Sequence, residues 1–259
     1  MIDQELLSRI FKHETQYWSC LAAVEQRYGW VAFSNPSLIP RIDPNHAGEF
    51  RATTATAAAI VDDIIEYYQK LGAVPAAYLD LLFAPQDLIV ELQRANFQDW
   101  PDAASDLMIY TGPDVARPSS APVEVVETDR ASDEWASIVA DHDSADEAAR
   151  GLVRALYRAE IADPRITAYL ARVDGQPAGR CELFSSDGLG RVEAVRTSSA
   201  YQRRGLAAAG IRRAVQDSLQ VNTVTYIYAE PGGEAQHLYE QLGFKTVAKN
   251  AMRGFVWQA

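Results

Sequence analysis

Cysteine is scarce in this 259-residue chain. The two cysteines, Cys20 and Cys181, lie one in each half, and neither has a neighbour at metal-ligand spacing. Two isolated thiols exclude a disulfide framework and a zinc motif, and small buried side chains are their expected role. The sequence therefore predicts no metal site built on cysteine.

Long apolar runs are also missing. No segment reaches 18 consecutive apolar residues, so no transmembrane helix and no membrane partner are expected. The N-terminal sequence MIDQELLSRIFKHE mixes both charge signs and lacks the basic and apolar regions of a signal peptide. These features predict a cytoplasmic protein.

Basic residues are outnumbered. The chain has 24 Lys and Arg against 35 Asp and Glu, which gives a formal net charge of −11. Proteins that bind a phosphate backbone are normally basic, so nucleic acid is excluded as an expected partner. The negative charge could steer a cationic amine towards the protein, and plain solubility is the alternative explanation.

Apolar spacing predicts alternating helices and strands in both halves. A first helix is expected over about 3–27, and a helix that opens at Gln202 is expected to run to about Leu219 and to be followed by a strand over 221–229. Phe97 and Phe244 lie 147 positions apart in similar helix–strand contexts. This approximate repeat suggests a degenerate duplication, and common α/β alternation is the alternative.

A proline-rich segment separates the halves. The sequence TGPDVARPSSAP contains three prolines, and its composition is that of a linker. We therefore predict a domain over 1–112, a linker over 113–121 and a second domain over 122–259.

The most informative segment runs from Val192 to Ala207 and reads VEAVRTSSAYQRRGLA. It predicts a strand, a loop and a helix start that contains one glycine. The first N–H groups of a helix have no intrahelical partner, and the helix dipole adds positive potential there, so a phosphate or pyrophosphate can bind. An ordinary helix cap is the alternative, because such a segment alone is a weak signal.

Two motifs together resemble the GNAT superfamily of N-acetyltransferases. Gln202 to Ala207, QRRGLA, resembles the family motif Q/R-x-x-G-x-G/A, and Leu238 to Phe244, LYEQLGF, resembles its second signature, L-Y-x-x-x-G-F. The resemblance covers about 122–259. It implies an α/β (α+β) fold with a mixed, twisted sheet flanked by helices, in which the strands 189–197 and 221–229 splay apart where acyl-CoA lies.

The resemblance also implies a set of cofactor-binding residues. Backbone groups of Val195 and Thr197 would pair with the pantetheine arm, and amides of the loop and helix start would hold the pyrophosphate. The whole predicted set is Val195, Arg196, Thr197, Gln202, Arg203, Arg204, Gly205, Leu206, Ala207 and Ala208. The chain departs from the usual pattern at Ala207, where glycine is commonest, and at Gly232, where many members place a CoA-contacting asparagine.

Two residues are predicted to be catalytic. Tyr239 occupies the family's general-acid position, and a phenol with a pKa of about 10 is protonated at neutral pH. Glu193 is the candidate base, with Glu182 on the neighbouring strand or water as alternatives. A backbone N–H near Val195 would polarise the thioester carbonyl. The structural alternatives are a packing tyrosine and a salt-bridged strand carboxylate.

The first half lacks the phosphate-loop motif. Where the repeat would place it, the chain reads FRATTATA from Phe50 to Ala57. This half is therefore predicted to be a degenerate GNAT-like α/β domain that is non-catalytic and binds no CoA.

The sequence predicts transfer of an acetyl group from acetyl-CoA directly to a small-molecule amine. An acyl-CoA-binding sensor without transfer, or an acetyltransferase for a protein N-terminus or lysine, are the alternatives, and a homodimer is left open. No metal is expected: Asp141, His142 and Asp143 resemble a cluster, but adjacent helical residues point apart. His237 is interpreted as part of a solvated helix face.

Overall fold

The computed structural model describes residues 3–39, 41–82, 86–112, 122–127, 129–143 and 147–258, without the side chains at 102 and 139–143. The chain forms two compact units. The first comprises 1–107, 229–233 and 247–259, and the second comprises 108–228 and 234–246. The predicted linker, 113–121, and the side chains of Asp141, His142 and Asp143 lie outside the described residues.

The first unit is a sheet covered by helices. Its strand order is β1-β2-β3-β4-β11-β5, in which β3 and β4 are parallel. Its elements are α1 (Gln4–Trp18), β1 (Ala23–Arg27), β2 (Trp30–Ser34), β3 (His46–Gly48), α2 (Ala57–Leu71), β4 (Ala76–Asp80), α3 (Gln86–Arg94), most of β5 (Phe97–Tyr110) and most of β11 (Phe244–Trp257).

The apolar face of α2 forms the centre of this unit's core. Ile60, Val61, Ile64 and Tyr68 recur at helical spacing and are buried against the strands. The helix ends at Gly72, whose φ of 79° is left-handed and therefore suits glycine.

The predicted helix over 3–27 is too long. α1 ends at Trp18, and Ala23–Arg27 form β1, which pairs antiparallel with β2. Helical spacing of apolar residues continues past Trp18, but pairing with β2 satisfies the backbone of this segment and decides its conformation. Local periodicity alone could not show that pairing.

The second unit is a mixed sheet in the order β10-β9-β8-β7-β6. Pairs β6–β7, β7–β8 and β8–β9 are antiparallel, and β9–β10 is parallel. Its elements are β6 (Val123–Val125), α4 (Asp129–Asp143), α5 (Glu147–Ile161), β7 (Ile166–Val173), β8 (Gln176–Ser186), β9 (Leu189–Thr197), α6 (Leu206–Val221), β10 (Val224–Ala229) and α7 (Glu234–Gln241).

Helices cover both faces of this second sheet. Leu170 on β7 packs in a cluster with Trp135 of α4, whereas the next residue, Ala171, packs with Leu206 of α6. Because successive strand residues point to opposite faces, α4 and α6 lie on opposite sides of the sheet. The predicted mixed α/β fold is confirmed.

The two halves of the chain share much of one order of elements. Each has three strands joined by antiparallel pairs, a helix, a strand parallel to the third, a short helix and a final strand. One helix, α1, precedes the three strands of the first half, whereas β6, α4 and α5 precede those of the second. A duplication predicts such a shared topology.

The units are not consecutive in sequence. Residues 247–258, which the sequence analysis assigned to the second domain, pack in the first unit because β11 pairs antiparallel with β4 from Met252–Asp80 to Val256–Ala76. The division into a catalytic and a non-catalytic domain stays a prediction. No helix among the described residues is long and apolar enough to cross a membrane.

Candidate active site

The start of α6 has the geometry of an anion site. Gly205 immediately precedes the helix with φ 77°, and Arg203 also has a positive φ, 61°. The Ala209 N–H donates to the Gly205 carbonyl at 2.9 Å, so the amides of Leu206 to Ala208 precede the first intrahelical bond. A Cβ at Gly205 would meet no atom within 4 Å, so the space beside this residue is open.

The side chains around this turn differ in burial. Leu206 is buried against Ala171 and Ala178, which fixes the helix start on the sheet. Arg203 is 89% exposed and lies 3.8 Å from Glu234, and the Arg204 guanidinium lies 5.5 Å from the Tyr201 ring centroid. Exposed ion pairs are weak, so these guanidinium groups can reorient towards a phosphate.

β9 and β10 separate beside this turn. Their parallel register runs from Leu189–Val224 to Val192–Ile227 and stops there, although β9 continues to Thr197 and all residues of both strands are described. On its other edge β9 stays paired with β8 as far as Thr197–Gly179. The second half of β9, which includes Val195 and Thr197, therefore presents an open edge of the kind that an extended ligand can join.

A β-bulge marks the point of separation. The β8–β9 register passes from Glu182–Glu193 to Arg180–Arg196, so Ala194 and Val195 together stand opposite Cys181. Ala194 has φ 54°, a left-handed conformation that is uncommon for a residue other than glycine. Bulges leave one residue outside the ladder and re-aim the strand, and here this occurs beside both candidate catalytic carboxylates.

The two candidate bases lie directly opposite each other on β8 and β9. Glu193 has a side chain 33% exposed and accepts from the buried Arg191 guanidinium at 2.8 Å, whereas Glu182 is 0% exposed. Opposed carboxylates repel each other, so each needs a cation. The cation next to Glu193 is Arg191, and the cation whose charge interacts with Glu182 is Arg180.

Arg180 is held in an aromatic sandwich. Its guanidinium carbon lies 4.0 Å from the Trp135 ring centroid and 3.9 Å from that of Tyr157. Burial lowers the pKa of Arg180, while Tyr157, Glu160 and Glu182 oppose that shift. The guanidinium thus supplies buried positive charge that interacts with Glu182 and Glu160.

Tyr239 lies on α7 and is brought close to Glu193. The side chain is 7% exposed, and its ring centroid lies 6.2 Å from that of Phe244. Burial raises the pKa of Tyr239, and the charge of Glu193 raises it further while Arg196 lowers it. The phenol is therefore protonated at neutral pH, as predicted for an acid. Its interaction with the Glu193 charge shows that the two predicted catalytic residues lie near each other.

All of these elements lie between residues 131 and 244. Residues 131–244 match the model of the Acetyltransferase (GNAT) family.

Residues 131–244 belong to the GNAT acetyltransferase family.

Solved structures share the fold of the whole chain. A GCN5-related N-acetyltransferase from Kribbella flavida is 17% identical with a TM-score of 0.73, and the match covers 98% of this chain and 96% of that one. A functionally unknown conserved protein from Staphylococcus epidermidis is 11% identical with a TM-score of 0.67, over 91% and 93%. A GCN5-related N-acetyltransferase from Sphaerobacter thermophilus is 13% identical with a TM-score of 0.55, over 88% and 75%. No curated protein matches the chain.

Several other features lie outside this GNAT site. His237 is 70% exposed on α7 and 3.5 Å from Glu240, the geometry of a solvated helix face. Gly232 has φ 73°, so a left-handed turn stands where many GNAT members place asparagine. A surface pocket of about 550 Å³ lies beside the end of α7, but none of the predicted CoA-binding or catalytic residues lines it.

Arg180 and Arg191, which lie beside the candidate bases, were not among the residues predicted from the sequence. Both strands carry the sequence G-R-x-E, as Gly179 to Glu182 on β8 and as Gly190 to Glu193 on β9. In a strand, the Arg and Glu of each motif point to one face. Two copies on neighbouring predicted strands were a signal for a buried charge cluster around the candidate bases.

Proposed function

We propose that this chain is an N-acetyltransferase that moves an acetyl group from acetyl-CoA directly to the amine of a small molecule. One observation carries the proposal. The open edge of β9, the amides at the start of α6 and the Tyr239–Glu193 pair occur within one GNAT domain.

The donor would bind through backbone groups. The amides from Arg203 to Ala208 would hold the pyrophosphate, with Gln202, Arg203 and Arg204 at its rim. Val195 and Thr197, at the open edge of β9, would pair with the pantetheine arm, with Arg196 between them. The open space at Gly205 and the register of β9 support this assignment.

Transfer needs a neutral amine, a polarised carbonyl and a proton for the departing sulfur. The amine nitrogen attacks the thioester carbon, the new C–N bond forms, and the C–S bond breaks. The Tyr239 hydroxyl would protonate the thiolate and would be reprotonated by the proton that the amine loses. Burial and the charge of Glu193 raise the pKa of Tyr239, so its hydroxyl would still carry the proton when the C–S bond begins to break.

Glu193 is the proposed first acceptor of the amine proton. Its carboxylate is one-third exposed and can be reached by an acceptor or through water, whereas Glu182 is fully buried. Arg191 holds Glu193 in one position through a charge-assisted hydrogen bond. Glu182 would balance the charge of the buried Arg180 guanidinium.

The acceptor would be a cationic amine in its resting form. The net charge of −11 favours the approach of such a molecule. Acetylation of a protein lysine or N-terminus, and CoA binding without transfer, are the outcomes against which this proposal is tested.

The test measures release of the CoA thiol from acetyl-CoA with a panel of small amines. The proposal predicts amine-dependent release and a mass increase of one acetyl group on the amine. Release only with a peptide acceptor would favour the protein-directed activity. Binding of acetyl-CoA with no release on any acceptor would favour the sensor.

A further inference from the structure

The first unit contains a second concave site. A pocket of about 350 Å³ is lined by residues of α1, β4, β5, β11 and the segment before β3, and none of them belongs to the predicted GNAT site. Its lining holds three aromatic residues, Trp18, Tyr78 and Trp100. The Tyr78 ring centroid lies 5.9 Å from that of Trp18 and 6.0 Å from that of Trp100, at angles of 53° and 32°. The three rings are tilted against one another and do not stack flat.

A glycine lies beside two of these rings. Gly254 stands opposite Tyr78 in the β11–β4 ladder. A Cβ there would lie 2.5 Å from the Cβ of Ala103, 3.4 Å from Tyr78 and 3.5 Å from Trp100. A larger residue would clash with Ala103, whereas its contacts with Tyr78 and Trp100 would be of ordinary length, so the glycine allows β11 to approach β5 beside the rings.

One carboxylate lines the pocket beside the rings. The Asp43 carboxylate accepts a hydrogen bond from the Tyr78 hydroxyl at 3.1 Å and lies 3.3 Å from the Arg41 guanidinium. Asp43 therefore places a negative charge at the pocket. The ring faces accept no strong hydrogen bonds, so they suit a cation that needs no acceptor better than a primary ammonium, which carries three donors.

Carboxyl groups predominate around the rings. A small neighbouring cavity shares Trp18, Tyr78 and Met252 with the pocket and is lined also by Glu14, Glu49, Asp80 and His46. Burial lowers the pKa of His46 to about 3, so its imidazole adds no charge at neutral pH. The two linings therefore bring four carboxyl groups and one guanidinium together, and their field favours a cation.

We propose that the first unit binds a quaternary alkylammonium group in the pocket formed by Trp18, Tyr78, Trp100 and Asp43. Ring faces attract a cation within about 6 Å, and they serve a quaternary nitrogen well because it requires no hydrogen-bond acceptor. A metal ion is a poor alternative, since among the described residues no three His, Cys, Asp or Glu groups form a possible metal site.

The test is calorimetric titration of the full chain with choline and with 3,3-dimethylbutan-1-ol, which has the same shape without the charge. Choline is expected to bind saturably, and the alcohol about tenfold or more weakly, because it lacks the cation–π and charge terms. Trp100→Leu should weaken choline binding by about tenfold. Asp43→Asn should weaken choline binding and leave binding of the alcohol unchanged.

Asp99→Asn is the matched control. Asp99 is next to Trp100 but does not line the pocket, and its half-exposed side chain pairs with Arg253. Choline affinity should be unchanged in this variant. A thermal melt checks folding. If Trp100→Leu does not fold, the choline affinity of Asp43→Asn tests the proposal instead. Equal affinity for choline and the alcohol, tighter binding of ethanolamine than of choline, or no binding at millimolar concentration would each overturn the proposal.

Discussion

Replacing Tyr239 with Phe removes one oxygen atom from the candidate active site and keeps the ring. The ring is 7% exposed and packs beside Phe244, so the variant retains its apolar contacts. Acetyl-CoA binding should be nearly unchanged, because the proposed pyrophosphate and pantetheine contacts are made by β9 and α6. The expected effect is on kcat, since the proton is needed only as the C–S bond breaks.

The size of the effect separates two roles for this hydroxyl. A lost acid–base group costs about 10²–10⁴-fold in rate, which is about 3–5 kcal/mol in the barrier. A hydroxyl that contributes only an ordinary hydrogen bond is worth about 0.5–1.5 kcal/mol, or roughly tenfold at most. We predict a loss of at least 100-fold in kcat.

The pH dependence gives a second readout. Burial and the Glu193 charge raise the pKa of Tyr239, so the phenol stays protonated from pH 7 to pH 10. Tyr239 therefore produces no fall in kcat over that range, and the Phe variant should be slower by the same factor at each pH.

The assay is steady-state thiol release on an acceptor found in the amine panel, with folding checked by thermal melt. Tyr226→Phe is the control, because Tyr226 is fully buried in the paired part of β10 and not in the separated part. A Tyr239→Phe kcat within a few-fold of wild type would refute the acid role. So would an alkaline fall in kcat below pH 10 that disappears in this variant.

Two further predictions concern buried charge. The pKa of His46 is lowered from 6.5 to about 3, so the neutral imidazole stabilises the fold fully above pH 6.5, and this stabilisation is lost as the pH falls towards 3. In urea unfolding, the free energy of unfolding should decrease by about 2 kcal/mol between pH 6.5 and 5, and His46→Phe should abolish this decrease. An equal pH dependence in the variant would contradict this assignment. Arg180→Met leaves Glu160 and Glu182 without the guanidinium and should lower the unfolding free energy by about 3–5 kcal/mol, whereas Arg203→Met, at a side chain 89% exposed, should change it by less than about 0.5 kcal/mol. Similar losses of unfolding free energy in the two variants would show that Arg180 does not stabilise the charges of Glu160 and Glu182.

Local motifs predicted the parts of the site that are made by contiguous backbone. The glycine before α6 and the tyrosine of α7 lie in short segments whose conformation depends on their own turn or helix. The residue types in those segments therefore carry the signal. The family and the mixed fold could be read from them.

Features set by pairing between distant segments could not be read in this way. Ala194 has no intrinsic preference for φ 54°, and the β8–β9 ladder imposes the bulge. β11 pairs with β4, which lies far away along the chain, so local periodicity could not assign it to the first unit. The G-R-x-E repeat was visible, but its meaning depends on the register that places Glu182 opposite Glu193.

The central claim is that the start of α6 and the open edge of β9 bind acetyl-CoA. Gly205 and Gly175 offer a matched pair of substitutions within the GNAT domain. Their φ values are 77° and 78°, and a Cβ at either meets no atom within 4 Å. Glu at each position therefore adds the same strain and charge, and only Glu at 205 lies in front of the proposed pyrophosphate site.

Calorimetric titration with acetyl-CoA compares these two variants with the wild type. We predict one site per chain in the wild type and in Gly175→Glu. In Gly205→Glu, the like charge and the added bulk should weaken binding by at least about tenfold. Unchanged affinity in a folded Gly205→Glu variant, or two sites per chain in the wild type, would contradict the account.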